Sequence, residues 1–246
     1  MIGNQIIHLD RVDSTSNYVA TLLSEGKARH GMVILAENQS NGRGQRGAIW
    51  QSESSKNLLL TIYVEHKQLE IIHQEALTHF VSLALHQCLL KFKINAEIKW
   101  PNDLLIRGKK IAGILIENQL RGSKIVSSII GIGLNVLQTE FDIPGSTSIT
   151  LETKESFTKE NVLKELINQL NQLFQILTHK QYSKLKEMYL EKLWLMNVIS
   201  LFESKNIRFS GIIRGTDEFG RLQIEHNQQI NTYELKEVKF TLRNEL

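Results

Sequence analysis

The sequence predicts an α+β fold, in which a mixed or antiparallel β-sheet with helices is followed by a small β barrel. Two observations support this prediction. Strand-like apolar runs and apolar residues at helical spacing succeed one another through the first part of the chain, whereas residues 198–241 contain five short β runs separated by turns. We therefore expect two domains, residues 1–195 and residues 196–246.

The composition is that of a globular protein with a slight positive charge. Of the 246 residues, 41% are hydrophobic, enough for a sizeable core. The formal charge of +3 is spread along the chain and does not indicate a nucleic-acid-binding patch. The one cysteine, Cys88, lies in an apolar helical run and fits a reducing compartment. No secretory pattern opens the sequence and no apolar run reaches the ~18 residues of a membrane span, so we expect a cytoplasmic protein that does not bind membranes.

The first forty residues alternate apolar elements with polar segments. Residues 5–10 and 32–36 have the pattern of strands, and residues 18–23 that of a helix. The segment Asp13-Ser-Thr-Ser-Asn17 precedes this helix. One of its side chains would suffice to cap the helix, which leaves the other hydroxyls free to bind a ligand. A capping role and a binding role both stay open here.

The segment Asn41-Gly-Arg-Gly-Gln-Arg-Gly-Ala-Ile-Trp50 has the composition of an anion-binding loop. Its glycines permit positive φ and close backbone approach, so that successive N–H groups can surround an anion. Arg43 and Arg46 add planar donor forks that suit carboxylate or phosphate. The spacing matches neither a Walker loop nor a dinucleotide-binding fingerprint.

The rest of the first domain consists of further strands and longer helices. The pair Ala112-Gly113 and the glycines at positions 131 and 133 indicate that a ligand or another backbone comes close to these strands. Expected strands cover residues 57–64, 111–117 and 125–136, and expected helices cover residues 74–92, 158–178 and 181–194.

A polar turn, Lys99-Trp-Pro-Asn-Asp103, interrupts the strands. Pro101 moves Trp100 out of the α conformation, and Asn102 and Asp103 place an amide and a carboxylate at the bend. Because Asn and Asp are also ordinary turn residues, a purely structural role stays open. Shortly afterwards, Lys110 begins the next expected strand.

These segments together offer the groups needed where charge develops on phosphate or carboxylate oxygens. An indole, Trp50 or Trp100, could stack on a flat ring, and Asp103 could contact a divalent cation. Neither a Ser-His-Asp arrangement nor a candidate thiolate nucleophile is evident in the sequence. The candidate donors are Ser14, Thr15, Gln39, Arg43, Arg46, Lys110 and the N–H groups of the glycine loop.

Four blocks resemble the signature motifs of biotin-protein ligases, in the same order and at similar spacing. They are Gly-Arg-Gly-Gln-Arg-Gly at 42–47 with Trp50, Lys-Trp-Pro-Asn-Asp-Leu at 99–104, Lys-Ile-Ala-Gly-Ile-Leu-Ile-Glu at 110–117, and Gly-Ile-Gly-Leu-Asn at 131–135. Asp-Ser-Thr at 13–15 resembles that family's opening motif, and residues 215–222 resemble its C-terminal tail. The resemblance implies a catalytic domain like that of class II aminoacyl-tRNA synthetases and an SH3-like barrel.

The same resemblance implies an activity. ATP would activate biotin as biotinyl-adenylate, with Mg²⁺ present, and the biotinyl group would pass to a lysine of a biotin carboxyl carrier protein or domain. By position, Lys110 and Arg43 would be catalytic, and Asp103 would contact Mg²⁺. Biotin would contact Ser14, Thr15, Ser16, Gln39, Arg43, Gly44, Gln45, Lys110 and Gly113, and the nucleotide would contact Arg43, Arg46, Trp50, Asn102, Lys110 and Asn135.

Two departures from the family pattern affect these expectations. Gln45 stands where the best-known members carry arginine, so this position keeps hydrogen-bond donors for the adenylate but loses the positive charge. Twelve residues precede Asp13, where bifunctional members carry a DNA-binding domain, so we expect a ligase that binds no DNA and has no repressor activity. The resemblance also allows a homodimer formed through edge strands of the sheet. The alternatives are a lipoate-protein ligase and a non-catalytic module that binds a small ligand or nucleic acid.

Overall fold

A seven-stranded mixed sheet forms the framework of the first domain. The computed structural model describes residues 1–241, apart from the side chain of Arg46. The strands run in the order β1-β2-β3-β7-β6-β5-β4, with β1 and β2 parallel and the other neighbours antiparallel, which confirms the predicted mixed sheet. They are β1 (Gln5–Val12), β2 (Met32–Gln39), β3 (Leu58–Glu70), β4 (Glu97–Lys99), β5 (Asp103–Ile106), β6 (Lys109–Arg121) and β7 (Lys124–Leu134).

Helices cover both faces of this sheet unequally. On one face, α2 packs against α4 and the sheet to enclose the large apolar core, whereas the short α1 lies on the other face above β2, β3 and β7. The helices are α1 (Thr15–Ser24), α2 (Glu75–Lys91), α3 (Ile149–Glu152), α4 (Lys159–Thr178) and α5 (Tyr182–Glu191). Sequence periodicity predicted all of them except the single turn α3, which is too short to show a period.

The alternation of side chains along the strands assigns residues to the two faces. In β3, Leu60 and Ile62 belong to the large core, whereas Tyr63 belongs to the small cluster under α1. Because successive side chains of a strand point to opposite faces, Thr61 shares the α1 face with Tyr63. Directly opposite residues of paired strands share a face, so Gly131, the partner of Thr61 in β7, lies on the α1 face as well.

The C-terminal strands form a second, antiparallel sheet in the order β11-β10-β9-β8-β12. Closure of this sheet into a barrel stays a prediction, as does the domain boundary after residue 195. The strands are β8 (Ile199–Ser204), β9 (Ile207–Thr216), β10 (Leu222–His226), β11 (Gln229–Tyr233) and β12 (Lys239–Thr241).

Hydrogen bonds fix the second sheet against the first. The indole Nε1 of Trp100 donates to the carbonyl oxygen of Gly220 at 2.8 Å. Lys186, on α5, donates through Nζ to the carbonyl oxygen of Asp217 at 2.8 Å. Both acceptors belong to the turn between β9 and β10, so this turn is held beside the Trp100-Pro101 segment, whose peptide bond is cis.

Across residues 1–241, the structure contains no helix that combines the length and the apolar character needed to cross a bilayer.

Replacing Phe80 with alanine tests the packing between α2 and α4. Phe80 is fully buried and its ring lies 5.7 Å from that of Phe174. We expect Phe80→Ala to lower the free energy of unfolding by about 3–5 kcal/mol, because the lost ring leaves a cavity. Leu90→Ala, on the partly exposed side of the same helix, should cost less than about 1 kcal/mol. Urea denaturation of both variants measures the difference, and equal losses would contradict this account of the core.

Candidate active site

A cleft of about 550 Å³ opens over the sheet beside the start of α1. Its walls come from segments far apart in the chain, including the C-terminal strand region. It collects most of the side chains that the sequence singled out. Those that line it are Ser14, Thr15, Ser16, Gln39, Arg43, Gly44, Gln45, Trp50, Trp100, Asn102, Asp103, Lys110 and Gly113.

Because three of its residues are glycines, the part of the sheet beneath the cleft carries no side chains at these positions. Gly113 of β6 and Gly133 of β7 are directly opposite each other, and the indole of Trp50 lies on them. A Cβ on Gly133 would stand 2.4 Å from the indole, and one on Gly113 would stand 3.0 Å from it. At Gly131 the same atom would lie 2.9 Å from the Oγ of Ser16. Side chains, rather than another backbone, therefore approach these glycines closely, and the approach of a ligand stays a prediction.

A buried chain of hydroxyls joins the start of α1 to the sheet. The backbone N–H and the Oγ1 of Thr15 both donate to Oε1 of Gln39, at 2.7 and 3.0 Å. Thr61 donates through Oγ1 to the Oγ1 of Thr15 at 2.8 Å, and its own Oγ1 lies 3.1 Å from the Oγ of Ser16. Ser14 stands at the N-cap position of α1, but its side chain makes no capping hydrogen bond. Its hydroxyl therefore does not cap the helix.

Arg43 is held by acceptors on two other elements. Its guanidinium makes a bidentate ion pair with Glu117 of β6, at 2.5 and 3.0 Å, and donates to Oδ1 of Asn17 at 3.0 Å. Asn17 in turn donates to Asp13 at 2.6 Å, and this bond is the largest cause of the lowered pKa of that carboxyl. The glycine loop is thereby tied to both α1 and β6.

Lys110 faces the cleft beside Asp103. Its Nζ lies 2.7 Å from the Asp103 carboxylate and 5.4 Å from the centre of the Trp50 ring. Lys99 lines the same cleft and lies 5.4 Å from the ring of Phe240. Burial lowers the pKa of Lys99, although the neighbouring Asp103 opposes that shift. Ion pairing therefore already engages Lys110, while Lys99 is held mainly by aromatic contacts.

A second cavity, of about 680 Å³, adjoins the cleft and shares part of its wall. Gln39, Trp50 and Lys110 line both spaces. Asn135 lines the second cavity and not the first, and its side-chain amide donates to the carbonyl oxygen of Thr147 at 2.9 Å. Its Oδ1 is buried without a partner among the described residues, so an acceptor is left over there.

The two remaining indole and amide candidates have structural partners. Trp100 is buried and bound to Gly220, so Trp50 is the indole positioned to cover a flat ring. Asn102 donates its side-chain amide to the carbonyl oxygen of Ile114, which ties the proline turn to β6. The remaining candidate, the side chain of Arg46, lies outside the described residues.

Sequence reasoning missed several residues that shape the cleft. Thr61 interrupts the apolar run of β3, and this lone polar residue in a buried strand was the available signal. Glu117 and Asn17 lie in segments that the sequence singled out, but their pairing with Arg43 gave no local signal, because Arg43 is far away in sequence. The region from Leu235 to Phe240 also lines the cleft, and only the packing of the two sheets brings it there.

Cys88 is buried, and burial raises the pKa of its thiol to about 12. Its sulfur lies 3.7 Å from the carbonyl oxygen of Val162. A thiol in this state carries almost no thiolate at neutral pH, which agrees with the expectation that Cys88 is not a nucleophile.

Comparisons with known proteins agree on one family. Residues 8–135 match the Biotin/lipoate A/B protein ligase family. The chain is 30% identical over 244 residues to the bifunctional ligase/repressor BirA of Salmonella typhimurium, covering 94% of this chain and 72% of that protein. It is 36% identical over 131 residues to the biotin–[acetyl-CoA-carboxylase] ligase of Paracoccus denitrificans, covering 52% of this chain and about half (53%) of that protein.

A solved structure gives the same picture of the fold. The biotin protein ligase from Aquifex aeolicus in complex with biotin and ATP superposes with a TM-score of 0.77 at 22% identity, covering 97% of this chain and 100% of that chain.

Replacing Gly133 with alanine tests the packing of Trp50 on the bare sheet. The new Cβ would overlap the indole, so we expect Trp50 to move into solvent and its fluorescence to become more accessible to acrylamide. Trp100 and Trp194 are buried and should not contribute to the change. In a Trp50→Phe background, Gly133→Ala should leave quenching unchanged. An equal rise in both backgrounds would show that the indole does not lie on Gly133.

Proposed function

The chain belongs to the biotin/lipoate A/B protein ligase family, and from this premise we propose that it is an ATP-dependent biotin ligase that biotinylates a carrier protein. It activates biotin as biotinyl-5′-AMP and transfers the biotinyl group to a lysine of a biotin carboxyl carrier domain. The relative in Paracoccus denitrificans is named for a carboxylase acceptor, which supports this class of partner.

The hydrogen-bond donors and acceptors of the cleft wall support biotin as the substrate. The backbone N–H of Thr15 donates to Gln39, and because an N–H group can only face an acceptor, the atom that it faces is Oε1. The side-chain N–H₂ group of Gln39 is therefore left as a donor. Ser16 donates into the hydroxyl chain and keeps its lone pairs, and Ser14 keeps a free hydroxyl. One amide donor and two hydroxyl acceptors match the carbonyl and the two N–H groups of a ureido ring.

The same wall argues against lipoate as the preferred substrate. A dithiolane ring has no strong hydrogen-bond donor or acceptor, so it would leave the unused hydrogen-bonding groups of Ser14, Ser16 and Gln39 without a partner. Buried polar groups left unpaired cost about 1–3 kcal/mol each. A wall built from these groups therefore selects a polar bicyclic ring over an apolar one.

The adjoining cavity suits the nucleotide. Trp50 lines both spaces, and its indole is an aromatic surface on which adenine can stack. The free Oδ1 of Asn135 is a hydrogen-bond acceptor in this cavity, suited to an exocyclic amine. Biotin in the first space and ATP in the second would bring carboxylate and α-phosphate together beside Lys110, which lines both.

Lys110 and Arg43 would stabilise the charge that develops during activation. The biotin carboxylate oxygen attacks the α-phosphorus, and the bond from that phosphorus to the bridging oxygen breaks as pyrophosphate leaves. Lys110 supplies a point charge at this junction, and Arg43 supplies N–H donors from the loop. Both cations are half-exposed and paired with carboxylates, so exchanging Asp103 or Glu117 for ligand oxygens costs little.

Mg²⁺ would accompany the nucleotide. Among the described residues, Asp103 carries the one carboxylate that lines the cleft, and Glu53, Glu140 and Asp142 line the adjoining cavity. Within residues 1–241 no cluster of three His, Cys, Asp or Glu side chains could hold a metal. Mg²⁺ is commonly held by one or two carboxylates together with phosphates and waters, so this set fits an ion that arrives with ATP. The ion would neutralise phosphate oxygens, with Asp103 as its protein ligand.

In the second half-reaction, the uncharged ε-amine of the acceptor lysine attacks the acyl carbon. The bond from that carbon to the phosphate oxygen breaks, AMP leaves, and the nitrogen loses a proton. Gln45 faces the cleft from the loop with neutral donors, where an arginine would add charge to the phosphate. An SH3-like C-terminal barrel and a homodimer remain part of the proposal.

A transfer assay tests the proposed function. With biotin, ATP, Mg²⁺ and an apo carrier domain, the protein should label the acceptor lysine, as detected by avidin blotting and by mass spectrometry of the carrier. Lipoate replaces biotin in a parallel reaction. Transfer of lipoate without transfer of biotin would overturn the assignment, and so would no transfer with either acid.

Replacing Lys110 with alanine tests its catalytic role. We expect biotin-dependent pyrophosphate release to fall by about 10²- to 10³-fold, because a charge aimed at the developing phosphate oxygens is lost. Biotin binding, measured by calorimetry, should weaken far less. Lys109→Ala is the matched control, since Lys109 is the exposed neighbour on the same strand. An equal loss of binding and turnover in Lys110→Ala would show that Lys110 only binds substrate.

A further inference from the structure

We infer that Thr61 is a positioning residue for substrate recognition, although it lines neither cavity described above. It is completely buried in β3, and its Oγ1 joins Thr15 and Ser16 in one hydrogen-bonded chain. This inference rests on the proposed function, because it concerns how the cleft wall recognises the ureido ring.

The positions of the protons along this row of hydrogen-bonded hydroxyls follow from its end at Gln39, whose role is fixed. Gln39 Oε1 can only accept, so the Thr15 hydroxyl donates to it at 3.0 Å. Thr15 can then serve its neighbour only as an acceptor, and Thr61 donates to it at 2.8 Å. With its proton used, Thr61 accepts from Ser16 at 3.1 Å. The direction therefore runs from Ser16 through Thr61 and Thr15 to Gln39.

This direction decides what the cleft offers to a ligand. Ser16, having donated to Thr61, presents lone pairs, and Gln39, having accepted through Oε1, presents its N–H₂ group. If Thr61 lacked its hydroxyl, Ser16 would have a proton free to point at the ligand, and the Thr15 hydroxyl would keep its bond to Gln39 but lose the bond that it accepts from Thr61. A Ser16 donor facing a ureido N–H donor would be a mismatch inside a buried site.

Strand pairing on both sides fixes the backbone position of Thr61. Thr61 is paired with Gly131 of β7 and Ile34 of β2, so its backbone is fixed in the middle of the sheet. Gly131 leaves space for Ser16, since a Cβ there would stand 2.9 Å from the serine oxygen. A threonine in β3 opposite a glycine in β7 thus forms the socket for the serine hydroxyl.

Thr61→Val tests the inference, because valine keeps the shape and removes the hydroxyl. We expect the Kd for biotin, measured by titration calorimetry, to rise roughly 3- to 10-fold. The KM for biotin in pyrophosphate release should rise equally, while kcat changes by less than about twofold, because Lys110 and Arg43 are untouched. Thr61→Ser restores the hydroxyl and should restore the affinity.

Ser128→Ala is the control for a general effect of losing a buried hydroxyl. Ser128 is fully buried in β7 and donates to Asn118 at 2.7 Å, outside both cavities. Its biotin Kd should equal that of the wild type, and urea denaturation of all variants separates stability from recognition. If Thr61→Val does not fold, Thr61→Cys, with its weaker donor, should give an intermediate loss of affinity.

The outcomes separate the two hypotheses. A wild-type protein that does not bind biotin would refute the proposed function. Biotin binding by the wild type with unchanged affinity in Thr61→Val would refute the positioning role alone. An equal loss in Ser128→Ala, no rescue by Thr61→Ser, or a fall in kcat as large as the rise in KM would also refute it.

Discussion

The cleft depends on a patch of sheet that carries no side chains. Gly113, Gly131 and Gly133 sit on the same face of adjacent strands, two of them directly opposite each other, and the backbone is therefore open to the indole of Trp50 and the hydroxyl of Ser16. A sheet with ordinary side chains at these positions would fill the space that the cleft needs. Strand register decides that the three glycines coincide, because a one-residue slip would turn them to the core.

The cations of the cleft are held in place before any ligand arrives. Lys110 pairs with Asp103, and Arg43 pairs with Glu117 and Asn17. Each pair is partly exposed, and such pairs contribute only about 0–1 kcal/mol in solvent. Their acceptors can therefore give way to carboxylate or phosphate oxygens, as the proposed function requires. This combination of order and low cost suits a site that must bind, react and release.

The C-terminal sheet takes part in forming the cleft. Its turn between β9 and β10 accepts the hydrogen bond of Trp100, in the same proline turn that presents Asn102 and Asp103 to the cleft. Val238 and Phe240 add to the wall from the far side. The contact between the two sheets therefore contributes to the shape of the cleft.

Local patterns in the sequence were sufficient to predict the strands, the long helices and the class of reaction. Periodicity located the strands and the long helices, and glycines with arginines marked the anion-binding loop, because both signals arise from neighbouring residues. Thr61, Glu117 and the C-terminal wall could not be predicted in the same way. Their roles depend on which distant side chain they meet, and strand register and the docking of the two sheets decide that. The residue types predicted an anion-binding loop, and the tertiary structure decided that Thr61 meets Thr15 and Ser16 beside Gln39, because only the packing of α1 on the sheet brings these side chains together.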